Sequence, residues 1–139
     1  MKKNINIAIV IIWMIFIFIM SSFDSGKSAS QSNFIVNIIT YLFNIENTTL
    51  LILIVRKLAN FTEYFILGLL MYNLFKEKNK AFNISLFNCI LYAIFDEIHQ
   101  LFVAGRTCKL LDIGIDALGS FVGIIIFITF KKMIHKKLM

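Results

Sequence analysis

The chain has 139 residues, 59% of them hydrophobic, with 15 Phe, no Pro and a mean hydropathy of +0.83. That length fits one domain, residues 1–139, and that composition excludes a water-soluble globule in favour of an all-α integral membrane protein. The formal charge of +6 does not mark a nucleic-acid partner, because the lysines cluster beside apolar runs, where they act as topology signals.

Lys2 and Lys3 precede an apolar run to Met20 that is broken only by Asn6. A cleavable signal peptide is one reading of such a start. The run is long for that, and Ser21-Ser22-Phe23-Asp24 offers no small-x-small cleavage pattern, so residues 5–22 are read as a first transmembrane helix. Ser25 to Ser32 is polar and contains a glycine, which predicts a loop. From 33 to 44, Asn33, Asn37, Thr40 and Asn44 recur at helical spacing opposite Phe34, Ile35, Ile38, Ile39, Tyr41 and Leu42. This amphipathic stretch is too short to span. It either lies in the membrane interface or packs on the bundle as a lid.

Thr48 and Thr49 offer N-caps for the next apolar stretch, which runs through Arg56-Lys57 and Glu63 to Phe75. Its part from Leu58 to Phe75 covers about 27 Å at 1.5 Å per residue, roughly one hydrocarbon thickness, so the second span is placed at 57–75. A helix that began near Thr48 would protrude or tilt over its first two turns. Lys76-Glu77-Lys78-Asn79-Lys80 is a basic turn. The third span follows at 82–100 and the fourth at 111–130, ending in Lys131-Lys132. Of the two cysteines, Cys89 lies in an apolar run and reads as a small buried hydrophobe. No metal-type CxxC spacing or disulfide framework is evident.

With four spans and the N-terminus inside, Lys2-Lys3, the Lys76–Lys80 turn and the lysine-rich tail place nine of the 14 basic residues in the cytoplasm. Both termini are therefore expected to be cytoplasmic. Of the acids only Glu77 falls on that side; Asp24, Glu46, Glu63, Asp96, Glu97, Asp112 and Asp116 fall on the other or in the outer half. Arg56, Glu63, Asp96, Glu97, His99, Gln100, Arg106, Asp112 and Asp116 come to one layer at the outer ends of the second, third and fourth spans. A charge at the bilayer centre costs about 2.5–3.5 kcal/mol, less near the interface, so this convergence needs a reason. Asp96 shares a helix face with His99, Glu97 with Gln100, and Asp112 with Asp116. Gly119 and Gly123 continue the last face, at the GxxxG spacing that lets a neighbouring helix approach closely.

Several chemistries fit this layer. Asp112 and Asp116, with a third carboxylate from a neighbouring helix, can hold a divalent metal ion, while the basic residues hold phosphate. Asp96, Glu97, His99, Asp112 and Asp116 are the candidate catalytic groups if a phosphate-bearing headgroup is cleaved by acid–base chemistry. The plainer alternative is internal pairing, in which Arg56 and Arg106 neutralise the acids and fix the bundle without a ligand. Cys108 and Lys109 read as solvated loop. Lys131 to Lys137, with His135, reads as a snorkelling anchor for anionic lipid.

At these residues the chain resembles the VanZ-like family of small bacterial membrane proteins. The matching pieces are Trp13-Met14 with Ser21-Ser22, then Arg56-Lys57-x-Ala59-x-Phe61-x-Glu63-Tyr64-x-x-x-Gly68. The most specific is Asp96-Glu97-x-His99-Gln100-x-Phe102-x-x-Gly105-Arg106, followed by Asp112, Asp116, Gly119 and Gly123. The chain departs from the pattern at Asn60, where the family usually has histidine, and at Ala104, where it usually has proline. The resemblance implies a four-helix membrane protein; joined to the residue reading, the expectation is a bacterial plasma-membrane protein, a four-transmembrane-helix bundle with a short extracellular interfacial helix between the first two spans. It links the founding member to teicoplanin resistance. It implies no settled reaction.

Two functions are carried forward. One is a cell-envelope protein whose outer-leaflet acidic pocket recognises a lipid headgroup, a lipid-linked wall intermediate or the lipoglycopeptide itself, with Arg56, Glu63, Tyr64, Gln100 and Arg106 as binding residues. Membrane lipids are then its partners, and glycopeptide resistance its consequence. The other is a membrane-embedded phosphohydrolase or transferase acting on a lipid-linked phosphate. A transporter subunit is the weakest reading, since a single short bundle has no inverted repeat.

Overall fold

The structure is a computed structural model that describes residues 2–23, 36–41 and 48–138. The described residues are helical or in turns and loops, with no strand. In chain order the helices are α1 (Lys2–Ser21), α2 (36–41), α3 (Thr48–Phe75), α4 (Ala81–Gln100) and α5 (Leu110–Leu138). The ends of the expected amphipathic helix, 33–35 and 42–44, lie outside the described residues, as does the expected loop 25–32.

Among the described residues, three helices are long and apolar enough to cross a membrane: Lys3–Ser21, Ala81–Gln100 and Leu110–Ile134. The second expected span falls in α3, whose 28 residues extend over about 42 Å. This helix starts nine residues before 57, because nothing between Thr48 and Lys57 breaks it. Arg56, Lys57, Asn60 and Glu63 dilute its apolar run and set it apart from the other three. Beyond 130, α5 continues through the lysines, again without a helix breaker.

The α3–α4 connection is a tight basic turn closed by Lys78 N–H to Phe75 O at 2.8 Å and Ala81 N–H to Lys78 O at 3.2 Å. Lys80 takes the left-handed conformation there, at φ 60°. The α4–α5 loop winds out of α4 with Phe102 N–H on His99 O at 3.0 Å, and it reverses at Gly105, whose φ of 73° suits glycine.

The helix α3 is the hub, packing on α1, α4 and, most extensively, α5. The α3–α5 approach is backbone to backbone. A Cβ added at Gly119 would stand 2.5 Å from Phe61 O, one at Gly123 closer still to Phe65 O, and one at Gly68 equally tight against Ser120 O. Small residues are the usual means of close helix contact in lipid, where no hydrophobic force separates protein from acyl chain. On the other side, Val10, Ile17, Tyr64, Leu67, Met71, Cys89 and Ala93 form a buried cluster joining α1, α3 and α4. Two side chains lock it to backbone carbonyls: Trp13 Nε1–H donates to Glu63 O at 2.9 Å, and Tyr92 O–H to Met14 O at 2.5 Å. Cys89 is fully buried and both cysteines are free. The outward faces carry exposed Ile12, Phe87, Phe95 and Phe130, as a lipid-facing surface would.

Candidate functional site

The C-terminal ends of α1 and α4 and the N-terminal halves of α3 and α5 meet at one end of the bundle. Between them lies a cavity of about 340 Å³. Of the residues singled out from sequence, Arg56, Glu63, Tyr64, Asp96, Gln100, Arg106 and Asp112 line it. Glu97, His99 and Asp116 do not.

Asp96 is the best-held carboxylate. It is 3% exposed; Ser21 O–H, at the end of α1, donates to its Oδ1 at 2.6 Å and Gln100 Nε2–H donates to Oδ2 at 3.3 Å. The helical spacing therefore joins Asp96 to Gln100 one turn on. His99 instead turns to α1, its ring 4.2 Å from that of Phe18. Glu97 is fully buried behind the cavity, its Oε2 accepting the Lys109 backbone N–H at 2.8 Å, so it pins the start of α5 to α4. Lys109, expected to be plain loop, thus has two roles, since it also lines the cavity.

The expected pairing of arginines with acids is not what the structure contains. The ion pair among the described residues joins Lys57 to Asp112, with the two side chains 33% and 15% exposed. A pair with that much solvent access contributes under about 1 kcal/mol, so the lysine can exchange partners. Arg106 uses its Nε–H on Phe23 O at 3.0 Å. Burial, and after it the Arg56 guanidinium, pushes the Arg106 pKa below its ordinary value, opposed by Asp96, Glu97 and Glu63. It stays charged regardless. Two guanidiniums that repel each other beside one cavity are relieved by an anion placed between them.

Asp116 is 1% exposed, and its Oδ1 lacks a hydrogen-bond partner, as do Glu97 Oε1 and Tyr64 Oη. It lies below the cavity, where Ser120 O–H bridges to the Asp116 and Tyr64 carbonyls at 3.0 and 3.3 Å. The two members of the expected metal pair, Asp112 and Asp116, are placed differently. Asp112 is engaged by Lys57, Asp116 is off the cavity, and no three His, Cys, Asp or Glu side chains gather as a ligand set among the described residues. Sequence reasoning also left Ser21, Lys57 and Lys109 out of the site. The first two stand inside the motifs Ser21-Ser22 and Arg56-Lys57, which was the available signal; Lys109 offered none.

The comparisons with known proteins bear on this site. The VanZ/LLP1 family profile matches residues 6–131, from the first helix through the whole cavity lining to the end of the α5 apolar run. The chain belongs to the VanZ/LLP1 family. Neither the curated proteins nor the solved structures contain a match. Family membership and the three apolar helices fit a membrane protein linked to glycopeptide resistance. The matched stretch includes both departures, Asn60 and Ala104, and Asn60 is itself part of the cavity wall in this VanZ/LLP1 member.

Proposed function

We propose that the cavity recognises the anionic headgroup of a membrane amphiphile (a phospholipid, a lipid-linked wall intermediate or a lipoglycopeptide) and that this occupancy contributes to teicoplanin-type resistance. One observation carries the reading: Arg56, Arg106 and Lys109 line a cavity of about 340 Å³ and have no carboxylate partner within ion-pair distance among the described residues. Guanidinium groups suit phosphate because their fork matches its oxygens. Glu63 and Asp112, on the same wall, can accept from headgroup hydroxyls or amines.

In this reading α3 is the fourth crossing helix, with its first two turns standing in the interface. The helix 36–41 lies at the outer interface, and both termini are in the cytoplasm of a bacterial cell. The cavity then opens to the outer leaflet, where an antibiotic meets its lipid-linked target.

The test is native mass spectrometry of delipidated protein titrated with phosphatidylglycerol, undecaprenyl phosphate or phosphatidylcholine, beside an Arg56→Gln/Arg106→Gln variant. The anionic lipids should form adducts that the variant loses by tenfold or more, about 1.4 kcal/mol. Equal adducts on both proteins, or none on the wild type, would sink the reading.

A second reading, a phosphohydrolase or transferase acting on a lipid-linked phosphate, rests on Ser21 O–H lying 2.6 Å from Asp96 Oδ1 in the cavity wall. That places a hydroxyl against a carboxylate, as an activated nucleophile requires. Release of phosphate from undecaprenyl pyrophosphate, lost in Ser21→Ala, would favour it over recognition.

A further inference from the structure

Beside the polar cavity, the faces of α3 and α5 leave a second recess of about 380 Å³, and its surface is entirely apolar. Leu53, Ile54, Leu58, Phe61, Ile115 and Leu118 form it, together with the stem of Lys57. Four of these are about half exposed: Leu53, Ile54, Leu58 and Leu118. The two spaces are neighbours, because Leu53 and Lys57, one helical turn apart on α3, line both.

We propose that this groove seats one hydrocarbon chain of the phosphate-headed membrane lipid whose headgroup occupies the cavity. The inference rests on the headgroup reading above and adds the path of the tail. A lipid headgroup cannot enter a polar cavity without its chains, and those chains must leave through an apolar opening in the wall. The groove adjoins that wall at Leu53 and Lys57, and Lys57 stands at the seam with its ammonium toward Asp112 and its stem along the apolar surface.

Charge favours a lipid over a second copy of this chain. Arg56, Arg106 and Lys109, which have no ion-pair partner among the described residues, line the adjoining cavity, and an anionic lipid brings phosphate and hydrocarbon to both spaces at once. A second copy would cover the groove with another apolar face and bring no phosphate to those cations. Energetics assign the two halves different tasks. Moving a chain from bilayer to groove removes little apolar surface from water, so phosphate contacts supply affinity and the groove fixes orientation and chain selectivity.

The test uses the unmodified full-length chain in phosphatidylcholine nanodiscs containing a trace of phosphatidylglycerol with a mid-chain diazirine. After irradiation, adducts should concentrate on residues 53–61 and 115–118, several-fold above the lipid-exposed stretch 125–130 of α5. Excess glycerophosphoglycerol, which has the headgroup without chains, should abolish that concentration. So should Leu118→Trp, which fills the groove and leaves the cavity lining untouched. Uniform labelling while native mass spectra still show the arginine-dependent lipid adduct would overturn the tail path and leave headgroup recognition standing. Absence of that adduct from the wild type would overturn both. A dimer mass with 53–61 and 115–118 protected from label would assign the groove to a second copy and overturn the proposal.

Discussion

The Ser21–Asp96 hydrogen bond is the direct polar tie between α1 and α4 at the cavity, and its strength can be set in advance. A hydrogen bond to a charged group contributes about 1.5–3 kcal/mol in water-soluble proteins. Interhelical bonds in a membrane protein average only about 0.6 kcal/mol, with a maximum near 1.7, because the unfolded chain in the bilayer finds other partners. Geometry places this one at the upper end. Its 2.6 Å length falls in the range of about 2.5–2.7 Å for a hydroxyl donating to a carboxylate, and Ser21 and Asp96 are 6% and 3% exposed. The Phe18 carbonyl, 3.1 Å from the same hydroxyl, is the poorer acceptor. We therefore expect a coupling of about 1.5 kcal/mol from the cycle Ser21→Ala, Asp96→Ala and the double variant, since the void left by Asp96→Ala cancels between its two sides. The cycle Gln100→Leu with Asp96→Ala is the internal comparison. At 3.3 Å its bond is long, and its coupling should be about 0.5 kcal/mol or less. Reversible unfolding in mixed micelles supplies all the values. A Ser21–Asp96 coupling below that of Gln100–Asp96 would refute the ranking, and with it the picture of a carboxylate held from α1.

The α5 glycines should respond with opposite signs. Gly119→Ala and Gly123→Ala drive a methyl into the α3 backbone at Phe61 and Phe65, which should cost about 1–3 kcal/mol and lower Tm. Gly114→Ala meets nothing within 4 Å and should raise stability by roughly 0.5–1 kcal/mol through helix propensity; equal losses at all three would contradict the packing. For topology, the native Cys108 in the α4–α5 loop should react with a membrane-impermeant maleimide in intact cells, while buried Cys89 stays silent. Glu77→Cys, in the basic turn, should react only after permeabilisation. The reverse pattern would invert the orientation.

Much of the fold was legible because lipid simplifies the code. Apolar runs of bilayer length bounded by lysine clusters fixed where α1, α4 and α5 lie, and Gly119 and Gly123 pointed to the close face of α5 before any coordinates. The start of α3 was harder. Hydropathy reports what a segment can bury in lipid, whereas a helix continues until something breaks it, and nothing does between Thr48 and Lys57. For the same reason Arg56, expected to close the connector before the second span, lies inside α3 on one continuous helix with Lys57 and Glu63.

The site divides along a similar line. Which charges gather was readable, since helix ends connected by short links must share a layer. Which charges pair was not. Helical spacing joined Asp96 to His99 and Glu97 to Gln100, whereas the structure joins Asp96 to Gln100, because Phe18 of α1 supplies an aromatic face that takes the imidazole. Likewise Asp112 and Asp116 share a face by periodicity, yet one turn of α5 carries the chain from the cavity wall, where Lys57 meets Asp112, into the dry α3–α5 contact below. Burial over a single turn is decided by the neighbouring helix, and that neighbour is absent from any local pattern. The same step explains why the cations remain available. With Lys57 taking Asp112, and Asp96 and Glu97 held by a serine, a glutamine and a backbone amide, the arginines have no carboxylate at ion-pair distance among the described residues. Asp96 and Glu97 thus draw on neutral donors while Glu97 Oε1 and Asp116 Oδ1 go without one, and the guanidinium groups stand at the cavity wall, where the proposed anion would meet them.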